Sequence, residues 1–433
     1  MLTQTIRRHA AALGLTLCVA VAVRVAWALW VHPNPADGRF DDTAWYRVAA
    51  RYFANGEGYV NPFTGTPTAA WPPGYPVFLG TIFRVFGEGL VQTYGANIAL
   101  AALTVAITYA IGVRLFDRRT AIVAAAAMAI WPGQVYFASL TLSEPLFTLL
   151  FAAAFLLMLL VPDAGRWRGP LIMLFGASVA AATLTRGQAA LLLPLALLAW
   201  GMAGYRWRPA IAWVMLAAFV TGVLIAPWVV RNQHQLGSPV LIATNFGPNL
   251  WIGNHAGATG RMVIAEADPP LPERGTLTQP EYEVKADRLA LRKGLAYMFT
   301  HPTAEVRLAG IKVRAMYESD ATALDWNSGY QRGFFVSPSD GSLRATANGF
   351  WFAALSFAGI GLLASRKRLT GLAGILPVTV LLWTATHLLF FGEPRFHYPV
   401  VFAIALLAAR GAVFAFEALR RPERSLPERH AAA

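Results

Sequence analysis

Several acids and arginines stand where a mostly apolar chain has no cheap place for them. Asp41 and Asp42 follow the first long apolar run, and Glu144 opens another in Ser143-Glu144-Pro145. Arg186 separates two further runs in Thr185-Arg186-Gly187. Arg395 precedes the last run in Glu393-Pro394-Arg395-Phe396-His397-Tyr398. Ionisable groups near a membrane interior are costly, so by default they suggest a functional site. A carboxylate there can take the proton of an attacking hydroxyl. A guanidinium matches phosphate geometry and offsets negative charge that develops on it.

Each position also has a plainer use. Asp41 or Asp42 would cap a helix starting near residue 43, since aspartate is a favoured N-cap. Glu144 would pair with an arginine, and Arg186 and Arg395 would snorkel to the interface. Arg24 lies about 10 Å from the outer end of its run, at 1.5 Å per residue, and is expected to snorkel too. His255 and His397 are single histidines, and neither reads as a metal ligand. His397 is carried with the Arg395 motif as a substrate-binding candidate.

Several other chemistries lack their signatures. There is no GxxxxGK[ST], no HExxH and no CxxC pair. Cys18 is the single cysteine, which excludes a disulfide scaffold. No metal cluster is evident, so no cofactor is expected, and the need for a divalent metal is left open.

The elements that must position these residues follow from composition. Of 433 residues, 56% are hydrophobic and 14% are charged. A soluble domain carries roughly 25% charged residues. The mean hydropathy is +0.47. These values exclude disorder and leave an all-α polytopic membrane protein. Runs near the required length of about 20 residues fall at 11–31, 92–113, 120–136, 142–161, 170–185, 188–204, 209–230, 347–364, 370–391 and 397–418. That predicts about ten spans, with a range of nine to twelve. Pro145, Pro194 and Pro377 lie within runs, which membrane helices tolerate when neighbours satisfy the freed carbonyls.

The formal charge of +13 sorts by side of the membrane. Compact basic clusters fall at Arg7-Arg8, Arg114/Arg118/Arg119, Arg166/Arg168, Arg206/Arg208, Arg366-Lys367-Arg368 and Arg420/Arg421/Arg424/Arg429. If the chain alternates, all lie on one side, which the positive-inside rule makes cytoplasmic. Those pieces, counted with Glu417 at the end of the last run, hold 16 Lys+Arg against 5 Asp+Glu. The outer loop 32–91 holds 4 against 5, and the outer loop 231–346 holds 12 against 11. The basic excess therefore fixes orientation and requires no nucleic acid. Both termini are then cytoplasmic, and the first run is a retained anchor rather than a signal peptide. The inner loops are too short to form a nucleotide site. The acids and arginines above all fall at the outer interface.

The first outer loop carries the most pattern. Residues 43–54 predict a short amphipathic helix with Tyr46, Ala49, Ala50 and Phe53 on one stripe. Asn55-Gly56 and Gly58 break it, and Trp71-Pro72-Pro73-Gly74-Tyr75-Pro76 forms a rigid aromatic turn. A second interfacial helix is expected at about 75–86. In the large outer loop, helices are expected near 279–299 and 303–318, stopped between by His301-Pro302. They suit either the membrane surface or a small cap packed on the spans. The chain thus divides into a transmembrane module 1–230 with its outer loop 32–91, an outer segment 231–346, a transmembrane module 347–418 and a tail 419–433.

An acid after the first span, a tyrosine four residues on, G-x-GY, a PPGYP turn and FG together resemble the C-type (GT-C) membrane glycosyltransferases. The resemblance is to glycosyltransferase family 39 and its bacterial relatives, which include protein O-mannosyltransferases and lipid A aminoarabinose transferases. TLSEPLF, LTRGQAALLLP, APWVVRNQHQLGSPVLIATNFGPNLWIGNHAGATG and EPRFHYPVV extend it from about residue 20 to 410. It implies a GT-C-like fold and a polyprenyl-phosphate-linked sugar donor. The hydroxyl acceptor would be a lipid, a polysaccharide or a protein, and transfer would invert the anomeric centre on the periplasmic face of a bacterial inner membrane. It implies that Asp42 is the general base, with Asp41 as second choice, and that Glu144 belongs to the same site. It puts Arg186 and Arg395 near the lipid phosphate. Tyr46, Trp71, Tyr75 and Asn249 join as substrate-binding candidates, and Trp45 and Trp251 as further aromatic lining. One departure is plain: lipid A-modifying relatives carry a lysine where Trp71 stands, which weakens a lipid A-type assignment. The competing readings are a transporter or lipid flippase, and a polysaccharide polymerase or ligase with a pyrophosphate-linked donor.

Overall fold

The structure, a computed structural model, describes residues 2–31, 41–263, 270–330 and 338–420. Parts of both outer loops and most of the tail, with Arg421, Arg424 and Arg429, lie outside the described residues. In lipid every backbone polar group must find a partner within the protein, so helices span the membrane. The described residues form helices throughout, with two isolated bridges in place of sheets. In chain order these are α1 (Leu2–Val31), α2 (Asp42–Ala54), α3 (Gly74–Phe86), α4 (Leu90–Leu115), α5 (Arg118–Ile130), α6 (Pro132–Tyr136), α7 (Glu144–Leu160), α8 (Arg168–Thr185) and α9 (Leu192–Met202). They continue as α10 (Trp207–Leu236), α11 (Phe246–Gly253), α12 (Gln279–Thr300), α13 (Pro302–Tyr317), α14 (Thr322–Tyr330), α15 (Pro338–Ser365), α16 (Ile375–His387) and α17 (Val401–Leu419).

Among the described residues, seven helical stretches are long and apolar enough to cross a membrane, and an eighth is a broken span bent by 49°. Two shorter apolar helices, Gly187–Met202 and Leu372–His387, account for the remaining expected runs. The chain is a multi-pass, all-helical membrane protein among the described residues. Its central helix is α7. Phe147, Phe151 and Phe155 are fully buried there, against Trp383 and Phe402. Helices α15 and α17 cross closely because Gly361 and Gly411 each face a backbone carbonyl of the other helix.

The break between α5 and α6 explains Arg24. Pro132 cannot continue the α5 hydrogen-bond ladder, which leaves carbonyls free inside the bundle. Arg24 donates to the carbonyls of Ala129 at 2.8 Å and Met128 at 3.2 Å, and to Ala20 at 3.0 Å. It is buried, so it caps a broken span and does not snorkel. The expected prolines also resolve differently. Pro145 sits at the start of α7, and Pro194 and Pro377 are third residues of α9 and α16. First-turn N–H groups have no intrahelical acceptor, so proline is tolerated there without help from neighbours. Pro227, in α10, by contrast lies in a helix interior.

The described residues of segment 231–346 form a cap built on α11, α12 and α13. A capping box of Thr278 and Glu281 starts α12. Glu283 of α12 reaches the first outer loop, accepting from Thr68 Oγ1 at 2.6 Å and Ala69 N at 2.9 Å. Arg231, near the end of α10, donates to the carbonyls of Thr68 and Tyr59. The two outer loops are therefore tied together.

Candidate active site

Helix α2 delivers the first acid. Asp41, in extended conformation, is its N-cap: Oδ1 accepts from Thr43 N at 3.0 Å, Ala44 N at 3.2 Å and Thr43 Oγ1 at 2.8 Å. Trp45, Tyr46, Ala49 and Ala50 are buried on one face, and Asn55-Gly56 ends the helix, with Gly56 at φ +81°. The capping question thus resolves by position. Asp41 is spent on backbone N–H groups, and Asp42, the first helical residue, points its carboxylate elsewhere.

That carboxylate meets Arg395, 353 residues away, whose Nη1 donates to Asp42 Oδ2 at 2.9 Å. Arg395 lies in the 3-10 segment Pro394–Val400, and its Nε donates to Glu393 Oε2 at 2.9 Å. The guanidinium lies over the Trp326 ring at 5.4 Å. Glu144, at the N-terminus of α7, stands 3.9 Å from the same Arg395 Nη1 and accepts from Arg186 Nη2 at 2.6 Å. Arg186 Nε donates to Ser143 Oγ at 3.1 Å, and Tyr46 OH reaches the same oxygen at 3.5 Å. Asp42, Arg395, Glu144, Arg186, Ser143 and Tyr46 form one network at a single end of the bundle. Formally it is three acids against two arginines, counting Glu393.

Local packing sets these positions. Glu144 is fully buried, and α7 holds it at the head of the core. Arg186 ends α8, where Gly74 of α3 packs against Thr185 so closely that a Cβ would collide. Burial pushes the Glu393 carboxyl up, and Arg395 opposes that shift. Burial likewise raises the Tyr46 and Tyr75 hydroxyls. Three buried polar atoms around this centre, Glu144 Oε2, Tyr75 OH and Trp45 Nε1, have no hydrogen-bond partner among the described residues.

The other expected residues fall around the network or away from it. Tyr75 stacks edge-on against Tyr46 at 5.2 Å, and Trp71 packs on Trp45 at 4.7 Å. His397 does not join the network. Its Nδ1 lies 2.6 Å from the Met316 carbonyl and its Nε2 lies 2.9 Å from Asp320 Oδ1, with the ring stacked on Trp351. That surrounding makes it a buried support two residues beyond Arg395. Asn249 is half-buried on α11, which packs on α12. Trp251 stacks on His255 at 5.2 Å. Sequence reasoning gave no role to Ser143, Glu393 or Trp326. Ser143 and Glu393 adjoin chosen residues in the chain, whereas Trp326 carries no local signal. Among the described residues no three His, Cys, Asp or Glu side chains form a metal-type cluster.

Comparisons with known proteins bear on the fold and on one stretch of the chain. Residues 70–230 match the family described as dolichyl-phosphate-mannose-protein mannosyltransferase. That stretch holds Glu144 and Arg186 but neither Asp42 nor Arg395. The oligosaccharyltransferase of Archaeoglobus fulgidus, tethered to an acceptor peptide, superposes with a TM-score of 0.55 at 16% identity, over 95% of this chain and 50% of that one. The same archaeal enzyme, AglB, in complex with an inhibitory peptide and dolichol-phosphate, gives 0.54 at 17% identity with the same coverage. ArnT from Cupriavidus metallidurans bound to undecaprenyl phosphate gives 0.42 at 17% identity, over 92% of this chain and 77% of that one. No curated protein matches the chain by sequence. The chain spans half the length of the archaeal oligosaccharyltransferase. By its fold and its matched segment, the chain is similar to the C-type membrane glycosyltransferases, as its sequence motifs imply.

Proposed function

We propose that the protein transfers a sugar from a polyprenyl-phosphate-linked donor to a hydroxyl acceptor, with inversion, at the outer face of the membrane. The observation that carries this reading is the Asp42–Arg395 bond. It sets a carboxylate beside a guanidinium at the point where helix ends from both halves of the chain converge. Asp42 Oδ1 has no hydrogen bond among the described residues and is placed to accept a proton. In the step, the acceptor oxygen attacks the anomeric carbon and its proton passes to Asp42. The bond from that carbon to the phosphate oxygen breaks, and the polyprenyl phosphate leaves with the electron pair. A single base suffices, unlike the paired carboxylates of glycosidases.

The leaving phosphate needs positive charge where its own charge grows. Among the described residues, Arg395 Nη2 and Arg186 Nη1 carry no hydrogen bond, so these are the N–H groups open to it. The matched family's dolichyl-phosphate-mannose donor and the dolichol-phosphate held by the archaeal neighbour support this donor class. The acids are already bonded to guanidiniums, so the reading takes transfer to be metal-independent, and activity is expected to survive EDTA. The charges gather at one end rather than along a path through the bilayer, which favours an enzyme over a transporter.

The test is turnover of radiolabelled polyprenyl-phosphate sugars by the purified protein in liposomes without any ion gradient. Release of polyprenyl phosphate with the sugar moved to a hydroxyl supports the reading. Consumption of pyrophosphate-linked donors alone would overturn it in favour of a polymerase or ligase.

A further inference from the structure

The turn between α16 and Arg395 does not hold itself. Leu388 and Leu389 follow the end of α16, where helix carbonyls lack intrahelical partners. The cap supplies them. Lys312 Nζ, on α13, donates to the Leu388 carbonyl at 2.9 Å and to Asn254 Oδ1 at 2.7 Å. Asn254 Nδ2 donates to the Leu389 carbonyl at 2.8 Å and to Leu250 at 2.6 Å. Gly392 N donates to the Gly260 carbonyl at 2.9 Å. The fit leaves no slack, because a Cβ on Gly253 would collide with the Phe390 carbonyl and one on Gly392 with that of Lys312.

Lys312 and Asn254 are both fully buried. Among the described residues, the one carboxylate on Lys312 is Glu305, at 3.6 Å. A buried ammonium with one distant carboxylate is a poor device for stability alone, since an apolar side chain of similar volume often serves as well. Its bonds converge on the backbone that leads, within a few residues, to Glu393 and Arg395. We infer that Asn254 and Lys312 are positioning residues for Arg395, acting from the outer cap through the backbone of residues 388–392. This rests on the reading of Arg395 as a holder of the donor phosphate. A displacement near 1 Å costs about 100-fold where geometry is demanding, so releasing the turn is felt at the phosphate.

The test measures binding of dolichyl phosphate to the full-length protein in nanodiscs, with the neutral alcohol dolichol as control. Arg395→Ala, Lys312→Met and Asn254→Ala are compared at matched thermal midpoints. Each is expected to weaken dolichyl phosphate binding about tenfold and to leave dolichol binding unchanged. Lys312→Met added to Arg395→Ala is expected to weaken it no further, because both act on one group. Wild-type phosphate affinity in folded Lys312→Met and Asn254→Ala, beside a weakened Arg395→Ala, overturns the positioning role alone. So does full additivity in the double variant. Wild-type affinity in Arg395→Ala overturns the phosphate reading itself, and the positioning inference with it. Should Lys312→Met fail to fold, Asn254→Ala and its double variant with Arg395→Ala carry the same comparison.

Discussion

Replacing Asp42 by asparagine separates its proposed chemistry from its structural part. The change is isosteric, and the amide oxygen can still accept from Arg395 Nη1, so the 2.9 Å contact has a successor. Asp42 is not the helix cap, since Asp41 makes the two capping bonds to backbone N–H groups. The folding cost is therefore a first-turn aspartate's interaction with the helix dipole, about 0.3–1 kcal/mol. Loss of a positioned general base costs about 10²–10⁴ in rate, or about 3–5 kcal/mol at 1.36 kcal/mol per tenfold. The variant also removes one negative charge beside the two arginines, so donor KM should hold or fall while kcat collapses. Asp41→Ala should behave in the opposite way. It loses about 1 kcal/mol of helix stability and keeps most of its turnover. The assay is turnover of a labelled polyprenyl-phosphate sugar in liposomes, with thermal unfolding run on the same samples. Asp42→Asn with a kcat within threefold of wild type would refute the base assignment. An equal loss in Asp41→Ala at an unchanged thermal midpoint would move the role to its neighbour.

Other perturbations read other parts of the structure. Arg24→Leu strips the bent span of its donor to Met128 and Ala129, at about 1–3 kcal/mol per carbonyl left unsatisfied; an unchanged thermal midpoint would count against the capping role. Glu144→Ala leaves Arg186 without its carboxylate and should destabilise by about 3–5 kcal/mol, whereas Glu144→Gln, which keeps an acceptor, should lose visibly less on thermal unfolding. Glu393, raised above its ordinary 4.5 by burial, holds its proton in the folded state to higher pH than in the unfolded one. Its contribution is thus full below pH 4.5 and is lost as pH rises through the folded value, so Glu393→Gln should flatten the fall of thermal midpoint with pH over that window; parallel curves would refute it. Gly411→Val drives a side chain into the Phe357 carbonyl, and loss of folded protein on size-exclusion chromatography is expected.

The spans were legible because lipid imposes one rule on them, and all ten apolar runs reappear as helices or as the broken span. Helix α2 was legible for a local reason: a cap, an apolar stripe and Asn55-Gly56 lie within fifteen residues. Arg24 was not. Whether an arginine in a span snorkels or turns inward depends on a second span losing its ladder at Pro132, more than a hundred residues later. The three prolines were misjudged for the same kind of reason. Their cost depends on where the helix starts, and Pro145, Pro194 and Pro377 all lie in first turns.

The site shows where such reading stops. That Asp42, Glu144, Arg186 and Arg395 share a depth follows from counting spans, because each stands at the same end of an apolar run. Depth is one coordinate of three, and the pairing of Asp42 with Arg395 needs the other two. Those are set by contacts with no local signature. Gly74 packs against Thr185, Trp326 lies beneath the guanidinium, and the cap grips residues 388–392 through Asn254 and Lys312. His397 shows what depth alone leaves out. It lies two residues from Arg395 at the same depth, yet its ring turns to Asp320 and the Met316 carbonyl. Adjacent side chains in a 3-10 segment point about 120° apart, so two residues of separation carry one side chain to the site and the other into the supporting wall.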